Sequence, residues 1–586
     1  MQRRLLAALL ILPLLLAGCG PAPAAPTAAA TQIIAPNALP TAEAVKVAPV
    51  AQEEFSLPPE ELQERVRFEL LGLSFVPADL WGGDDVKVKT FADGSQTVDT
   101  TFRDAVADPA AARRIVFTQS DLPLDVEGWF RQLAPAAVSE DARRETGVRG
   151  VSGYLYRNFA DEPSLFWQEN GLTYTLRLSS TGWPGAISDD LLLWLAESLQ
   201  PADDAAYVFE HRAPSTWFTY TSAAHQLSFA VPRGWQQTGD ATFSGEDGFA
   251  RLEAMKSYGA AVDQACEMEA NLHPERYGSR PSLRSIRRAW NVVDIRSDPC
   301  LILPGADAPA GAEAALLLPD PSRPGQPAFL RLAVDALRAE LIAYSLDLPD
   351  APASTPALPV KPPDPASLPA SIEAQVSRLG PLTLESYPIV AASLDAPGHF
   401  EFAARIPGAV LARRADLRSA GALQRAFSIT SAGRTVTVAE EADAIDHHYA
   451  VVSVDGQEVY RYAMLQHAGA TPIYGLWNWA GRWVLEVNGA LVVEGELYNA
   501  KAGYREIFNF RMLDGKPFFL FLKEGLVGVY YDGQTWPGLF ESVVHGACCE
   551  AGIANPGNAA ALTWFYAQQQ GWWHYVELGL FERQSP

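Results

Sequence analysis

Positive charge is in short supply. Against 69 Asp and Glu stand 45 Lys and Arg, a formal net charge of −24 over 586 residues. Such a surface repels phosphate backbones and acidic headgroups, so nucleic acid is not expected as a partner and electrostatics would not hold the body on a membrane. The densest basic patch, Arg284-Ser285-Ile286-Arg287-Arg288, is brief and reads as a solvated face. Long apolar runs are also scarce: beyond Leu16 none has the uninterrupted length of a transmembrane helix. Local catalytic words are missing as well. There is no Gly-x-Ser-x-Gly elbow, His-Glu-x-x-His pair, phosphate-binding Walker loop or EF-hand loop. Their absence does not exclude a catalytic triad assembled from distant residues. No cofactor or metal is expected. Cysteine is sparse, with five in the chain.

What is present begins at the N-terminus. Arg3 and Arg4 precede an apolar run from Leu5 to Leu16, the layout of a secretory signal. The run closes on Leu16-Ala17-Gly18-Cys19, which resembles the lipobox of bacterial lipoproteins. The resemblance implies a signal peptide over 1–18, lipidation at Cys19, and a membrane-anchored protein on the extracytoplasmic face, at the cell surface or in the periplasm. The alternative is an ordinary secretion signal with an incidental cysteine. Two or more acyl chains, at about 0.8 kcal/mol per buried CH₂, suffice for stable anchoring.

Composition then divides the chain. Residues 19–53 are rich in Ala, Pro and Thr and lack apolar periodicity, as expected of a tether. A first α+β domain is expected over 54–200, a short linker over 201–214, and a second α+β domain over 215–347. Residues 348–369 form a linker in which Pro349, Pro352, Pro356, Pro359, Pro362, Pro363, Pro365 and Pro369 forbid a helix. From 370 to 586 the hairpin signals Asp455-Gly456, Asn488-Gly489, Asp514-Gly515 and Asp532-Gly533 separate β-rich runs. The expected fold class is therefore multidomain: two α+β domains with antiparallel sheets, then a mainly-β antiparallel domain. A small propeller-like arrangement is the alternative for the last. Within it Ala559 to Gln568 reads as a lone helix.

Three stretches carry resemblances. Ile115-Val116-Phe117-Thr118-Gln119, Val151-Ser152-Gly153-Tyr154, the run from Leu165 to Tyr174, and Ala196-Glu197-Ser198-Leu199 follow one order. Together they make residues 65–200 similar to a domain of unknown function shared by bacterial lipoproteins and the outer parts of anti-sigma factors. That implies an α+β fold that binds or senses outside the membrane, without catalytic residues. The strand ending Val231-Pro232-Arg233-Gly234-Trp235, with the late Ala343-Tyr344-Ser345-Leu346, makes residues 215–347 resemble the PsbP-type α/β layer. The stretch 477–581 resembles C-terminal regions of uncharacterised bacterial lipoproteins, and implies no activity.

Candidate functional residues are few. Cys266 and Cys300 both lie in the second domain, and an exported chain favours pairing, so a disulfide is expected between them. Cys548 and Cys549 are then left with each other: a vicinal disulfide, two buried thiols, or a metal held with His545 are the options, with the bridge preferred. His447-His448 beside Glu440, Glu441, Asp443 and Asp446 could form a metal patch. Adjacent strand residues face opposite ways, however, so a polar loop is the favoured reading. Trp477, Trp479, Trp572 and Trp573 are candidate binding aromatics for sugar faces or a protein partner, although alternating aromatics in strands are most often core. The functional expectation is a non-catalytic binding or structural role at the cell envelope, with an envelope protein or cell-wall polymer as partner. The alternative is an extracytoplasmic hydrolase acting on glycan or wall polymer, recognisable by paired carboxylates beside exposed tryptophan.

Overall fold

The structure is a computed structural model. It describes residues 51–586 apart from 57–58, 74–79, 105–112, 134–142, 158–161, 180–188, 202–215, 256–257, 287–297, 310, 324–327, 349–373, 389–425, 444–446, 467–471, 546–557, 560 and 582–586. Cys19, Cys548 and Cys549, most of both expected linkers and all but residues 51–53 of the tether lie outside the described residues.

Antiparallel sheet dominates, in several separate sheets. The first has eight strands in the order Glu53–Ser56, Leu80–Thr90, Gln96–Asp104, Arg114–Ser120, Leu172–Leu178, Pro163–Glu169, Val151–Arg157 and Arg144–Val148. Alternation sets its faces: Ile115 and Phe117 point into one core with Leu165, Trp167, Leu176 and Leu178. Helices α1 (Pro59–Arg65), α2 (Val126–Leu133) and α3 (Asp189–Glu197) accompany this sheet. Leu191, Leu192 and Leu195 of α3 close that core, while Trp129 and Phe130 of α2 meet Phe166 in a separate cluster.

A hairpin, Trp217–Ser222 with Leu227–Pro232, leads to a seven-stranded sheet. Its order is Gln236–Gly239, Thr242–Gly245, Gly248–Met255, Phe329–Asp335, Glu313–Pro319, Cys300–Leu303 and Ser282–Ser285. Helices α4 (Val262–Leu272), α5 (Pro274–Tyr277) and α6 (Ala339–Tyr344) belong to it. Leu316, Leu318, Leu330, Leu332 and Val334 turn one way and join the same apolar cluster as the first sheet and α6. Trp194 of α3 meets Trp217 of the hairpin edge-on at 5.5 Å. The other face, with Ile302, Ala315, Leu317 and Phe329, packs on α4. A disulfide joins Cys266 of α4 to Cys300, with Cα atoms 6.2 Å apart, so it ties the helix to a strand it already covers.

The remaining strands form sheets that follow one another along the chain. Ser428–Ser431, Arg434–Ala442, His448–Val454 and Gln457–Met464 make one, and Ile473–Trp479, Arg482–Val487, Ala490–Val493 and Glu496–Leu497 the next. Glu506–Leu513, Lys516–Lys523, Leu526–Tyr531 and Gln534–Phe540 make a third. The last mixes both ends of the segment: Gln375–Leu379, Leu382–Pro388, Trp572–Gly579, Leu562–Gln569 and Ser542–Val543 in order, with Asn558–Ala559 also paired to Leu562–Gln569. Each sheet buries a face against the next. Val436 and Val452 meet Leu476 and Leu485, Val484 and Leu491 meet Phe510 and Phe519, and Phe518 and Leu520 meet Phe565 and Val576.

One expected element is corrected. Residues 562–569 are a strand rather than a helix. Leu562, Phe565 and Ala567 are buried, with Trp564 and Tyr566 between them partly exposed, and the strand pairs along its whole length with Trp572–Gly579. Aromatic strand preference and a long partner outweigh the alanines of Ala559-Ala560-Ala561, which suggested a helix.

Candidate functional site: a polar seam where the segments meet

Helix α4 has two chemically different sides. Val262, Ala265, Cys266 and Ala270 face the second sheet, while Met268 enters the core between the Ser428–Met464 and Ile473–Leu497 sheets. Between these lies a buried polar row, Asp263, Gln264 and Glu267, continued by Asn271 one turn on. Buried polar groups must be satisfied, and here partners come from successive sheets. Glu267 accepts from the Leu465 N–H at 2.9 Å and from Asn488 Nδ2 at 3.0 Å. Gln264 Nε2 donates to Glu506 Oε1 at 2.7 Å, and that carboxylate also meets His545 Nε2 at 2.8 Å. Asn271 exchanges hydrogen bonds with the backbone of Ala463. One helix of the second segment thus engages corners of three consecutive sheets, and through Glu506 reaches the fourth. Gly489 is fitted to this approach. Its φ is +78°, and a Cβ there would stand 2.7 Å from Gln264 Nε2.

The seam continues inward to Glu486. It shares a strand face with Val484 yet is buried, and accepts from the N–H groups of Asn509 at 2.7 Å and Phe510 at 3.0 Å. Those N–H groups converge because the strand is irregular between Phe508 and Arg511, with Asn509 at φ +61°. Burial pushes the Glu486 carboxyl up to about 7, against the pull of Arg511 and the two backbone donors. Arg511 is buried too, and desolvation lowers its guanidinium to about 9. Beside Glu506, the His545 ring stacks on Phe508 with centroids 3.5 Å apart.

A second polar group lies at the edge strand Ser282–Ser285. His447 Nδ1 meets Asp443 Oδ2 at 2.9 Å, and Nε2 meets Ser282 Oγ at 2.5 Å. Asp443 Oδ1 accepts in addition from the His447 backbone N–H at 3.0 Å. Because the carboxylate only accepts, Nδ1 carries the proton and Nε2 accepts from the serine hydroxyl. Burial lowers the His447 pKa below its ordinary value; Asp443 opposes this, and Arg284 and Arg113 reinforce it. Arg284 Nη1 donates to Glu340 of α6 at 2.9 Å, with Arg113 Nη1 3.8 Å from the same carboxylate. Residues from all three long segments therefore meet here. His448 turns away to Glu440 at 3.0 Å, as strand alternation requires, while Asp446 of the expected patch lies outside the described residues. Among the described residues no group of three or more His, Cys, Asp or Glu could hold a metal ion.

The candidate aromatics are placed differently from one another. Trp477 packs edge-on against Phe510 at 5.3 Å, and Trp479 lies among Tyr498, Phe510 and Tyr530 with the Arg482 guanidinium 4.9 Å from its ring centre. Trp573 joins a cluster with Tyr387, Tyr575, Trp564 and Tyr566, whereas Trp572 is 41% exposed. A carboxylate pair that sequence reasoning did not single out lies on the strand face of Trp573 and Tyr575. Glu385 and Glu577 are direct cross-strand partners, both buried, and accept from Tyr387 at 2.6 Å and Tyr575 at 2.9 Å respectively. Ser282, Glu486 and Glu506 were also missed. An acid on the inward face of an apolar strand, as in Trp483-Val484-Leu485-Glu486-Val487, was the available signal for Glu486. Ser282 offered none. Neither a protein-family model nor a curated protein matches the chain.

Proposed function

We propose that the protein is a lipid-anchored component of the cell envelope, held through Cys19, whose body has a binding or structural role outside the membrane. An envelope protein or a wall polymer is its partner. The finer architecture in this reading is two α+β units followed by a small propeller-like array of sheets, with α4 seated against the corners of successive blades. The observation that carries the binding reading is the interlock at α4. A polar row on one helix is satisfied by several sheets, which suits a stiff scaffold for presenting surfaces. Trp477 and Trp479 are half-buried against the core of Phe510 and Phe519, which leaves part of each ring open to a partner. The test is purification from membranes with mass spectrometry of what accompanies the protein. Recovery of one envelope protein or wall fragment in stoichiometric amount supports the reading; recovery of the protein alone from gently solubilised membranes counts against it.

A second reading, an extracytoplasmic hydrolase, has one specific observation in its favour: the Ser282, His447 and Asp443 relay, in which a hydroxyl, an imidazole and a carboxylate are bonded in series. The facing Glu385 and Glu577 supply paired carboxylates, but each is bound to a tyrosine in the interior, which suits a structural pair better than a glycosidase.

A further inference from the structure

We propose that Ser282 is an acylatable nucleophile, with His447 as its general base and Asp443 as the group that orients the base, and that the site acts on short acyl esters. The inference rests on the hydrolase reading and gives it a residue and a substrate class.

The argument is geometric. Nucleophile and base are within hydrogen-bond reach at 2.5 Å, and the base is held at its far nitrogen by a carboxylate at 2.9 Å. Asp443 meets His447 twice: Oδ2 at Nδ1 sets the tautomer and orients the ring, and Oδ1 at the backbone N–H holds the carboxylate in place. The members lie 165 and 4 residues apart, so only folding brings them together, and no local motif announces them. Arg284 lies two places after Ser282 on the same strand, so its side chain leaves on the same face. With Arg113 it acts electrostatically on His447, although both guanidiniums also lie at the Glu340 carboxylate. The opposing consideration is exposure. Ser282 is only 4% exposed, while the Asp443 side chain is 40% exposed, so water reaches the relay most easily from the carboxylate end. Such a buried nucleophile is why the substrate class is confined to small acyl groups.

In the step itself, Ser282 Oγ forms a bond to the ester carbonyl carbon while its proton passes to His447 Nε2. Collapse of the tetrahedral intermediate breaks the bond to the alkoxide, which takes that proton and leaves as the alcohol. Water, deprotonated by the same imidazole, then attacks the acyl-serine, and the acid departs as the serine regains its proton.

The experiment uses the purified full chain and diisopropyl fluorophosphate, followed by peptide mass mapping. The expected result is one adduct, on Ser282, absent in Ser282→Ala and formed at least about tenfold more slowly in Asp443→Asn and His447→Gln. Circular dichroism checks that each variant is folded, and Asp443→Asn decides the matter if His447→Gln is not. The labelling rate should rise with pH and level off below the ordinary histidine pKa, because burial, Arg284 and Arg113 outweigh Asp443 at His447. No adduct on Ser282 in the folded protein, or equal rates in wild type and both variants, overturns the assignment. Release of wall fragments by a preparation whose Ser282 stays unlabelled would remove this nucleophile and leave the hydrolase reading standing; absence of both removes the two together.

Discussion

Glu486 is a carboxylate whose protonation follows from its surroundings. The two N–H groups at the strand irregularity favour the anion, as does Arg511, but burial outweighs them and its pKa rises to about 7. In the unfolded chain a glutamate titrates near 4.3 (about the ordinary value). The folded state therefore binds the proton more tightly, and stability falls as pH rises from about 4.5 to about 7. Equilibrium urea unfolding at pH 5 and pH 7.5 should show the decline, and Glu486→Gln should flatten it; an unchanged slope in that variant would mean another group is responsible. Glu486→Leu is a harsher change. It leaves the Arg511 charge buried and the N–H groups of Asn509 and Phe510 without their acceptor. A loss of about 3–5 kcal/mol is expected from the urea midpoint. None of this was legible in the sequence beyond the anomaly of an acid on an inward strand position, because the irregularity that aims two backbone donors at Glu486 lies in a different sheet.

Among elements, α4 links the second segment to the last. Met268 is fully buried in the core that also holds Val452, Leu485 and Trp483, so Met268→Ala opens a cavity in that shared core. A cost of about 2–5 kcal/mol is expected. Tryptophan fluorescence and far-ultraviolet circular dichroism should then report the same lowered midpoint; a variant that loosens only one signal would show that the helix is not shared. The disulfide has a separate effect. It closes a 34-residue separation, so the Cys266→Ala, Cys300→Ala protein should lose about 3–4 kcal/mol by the chain-entropy argument.

The legible elements were those whose signals are local. Asp455-Gly456, Asn488-Gly489, Asp514-Gly515 and Asp532-Gly533 all have positive φ at both residues, as two-residue hairpin turns require, and each joins the strands expected on either side. The strand at 562–569 was misread because three consecutive alanines outweigh a period of two when the pairing partner is not considered. The polar side of α4 was readable as polar, from Asp263, Gln264 and Glu267, but a helix with such a face looks solvated until the sheets that satisfy it are in place.

On the scale of the whole molecule, segments far apart in sequence share cores. One apolar cluster runs from Ile115 of the first sheet through Trp217 to Leu341 of α6, and another joins Ala265 of α4 to Tyr449 and Val451 of a later sheet. Composition does not reveal such contacts, because the residues that meet are far apart in sequence. The body carries strong negative charge and, among its described residues, no helix long and apolar enough to cross a membrane. In the proposed account it is therefore the acyl chains on Cys19 that hold it at the envelope, against its own electrostatics. The most direct test is to express the full chain and Cys19→Ser in a host that processes lipoproteins, separate membranes from soluble fractions at high salt, and follow incorporation of labelled fatty acid. The account predicts label and membrane association for the native sequence, and an unlabelled Cys19→Ser protein that is either released or left as uncleaved precursor. Labelled fatty acid on Cys19→Ser, or a cleaved, unlabelled Cys19→Ser protein that remains with the membranes, would contradict it.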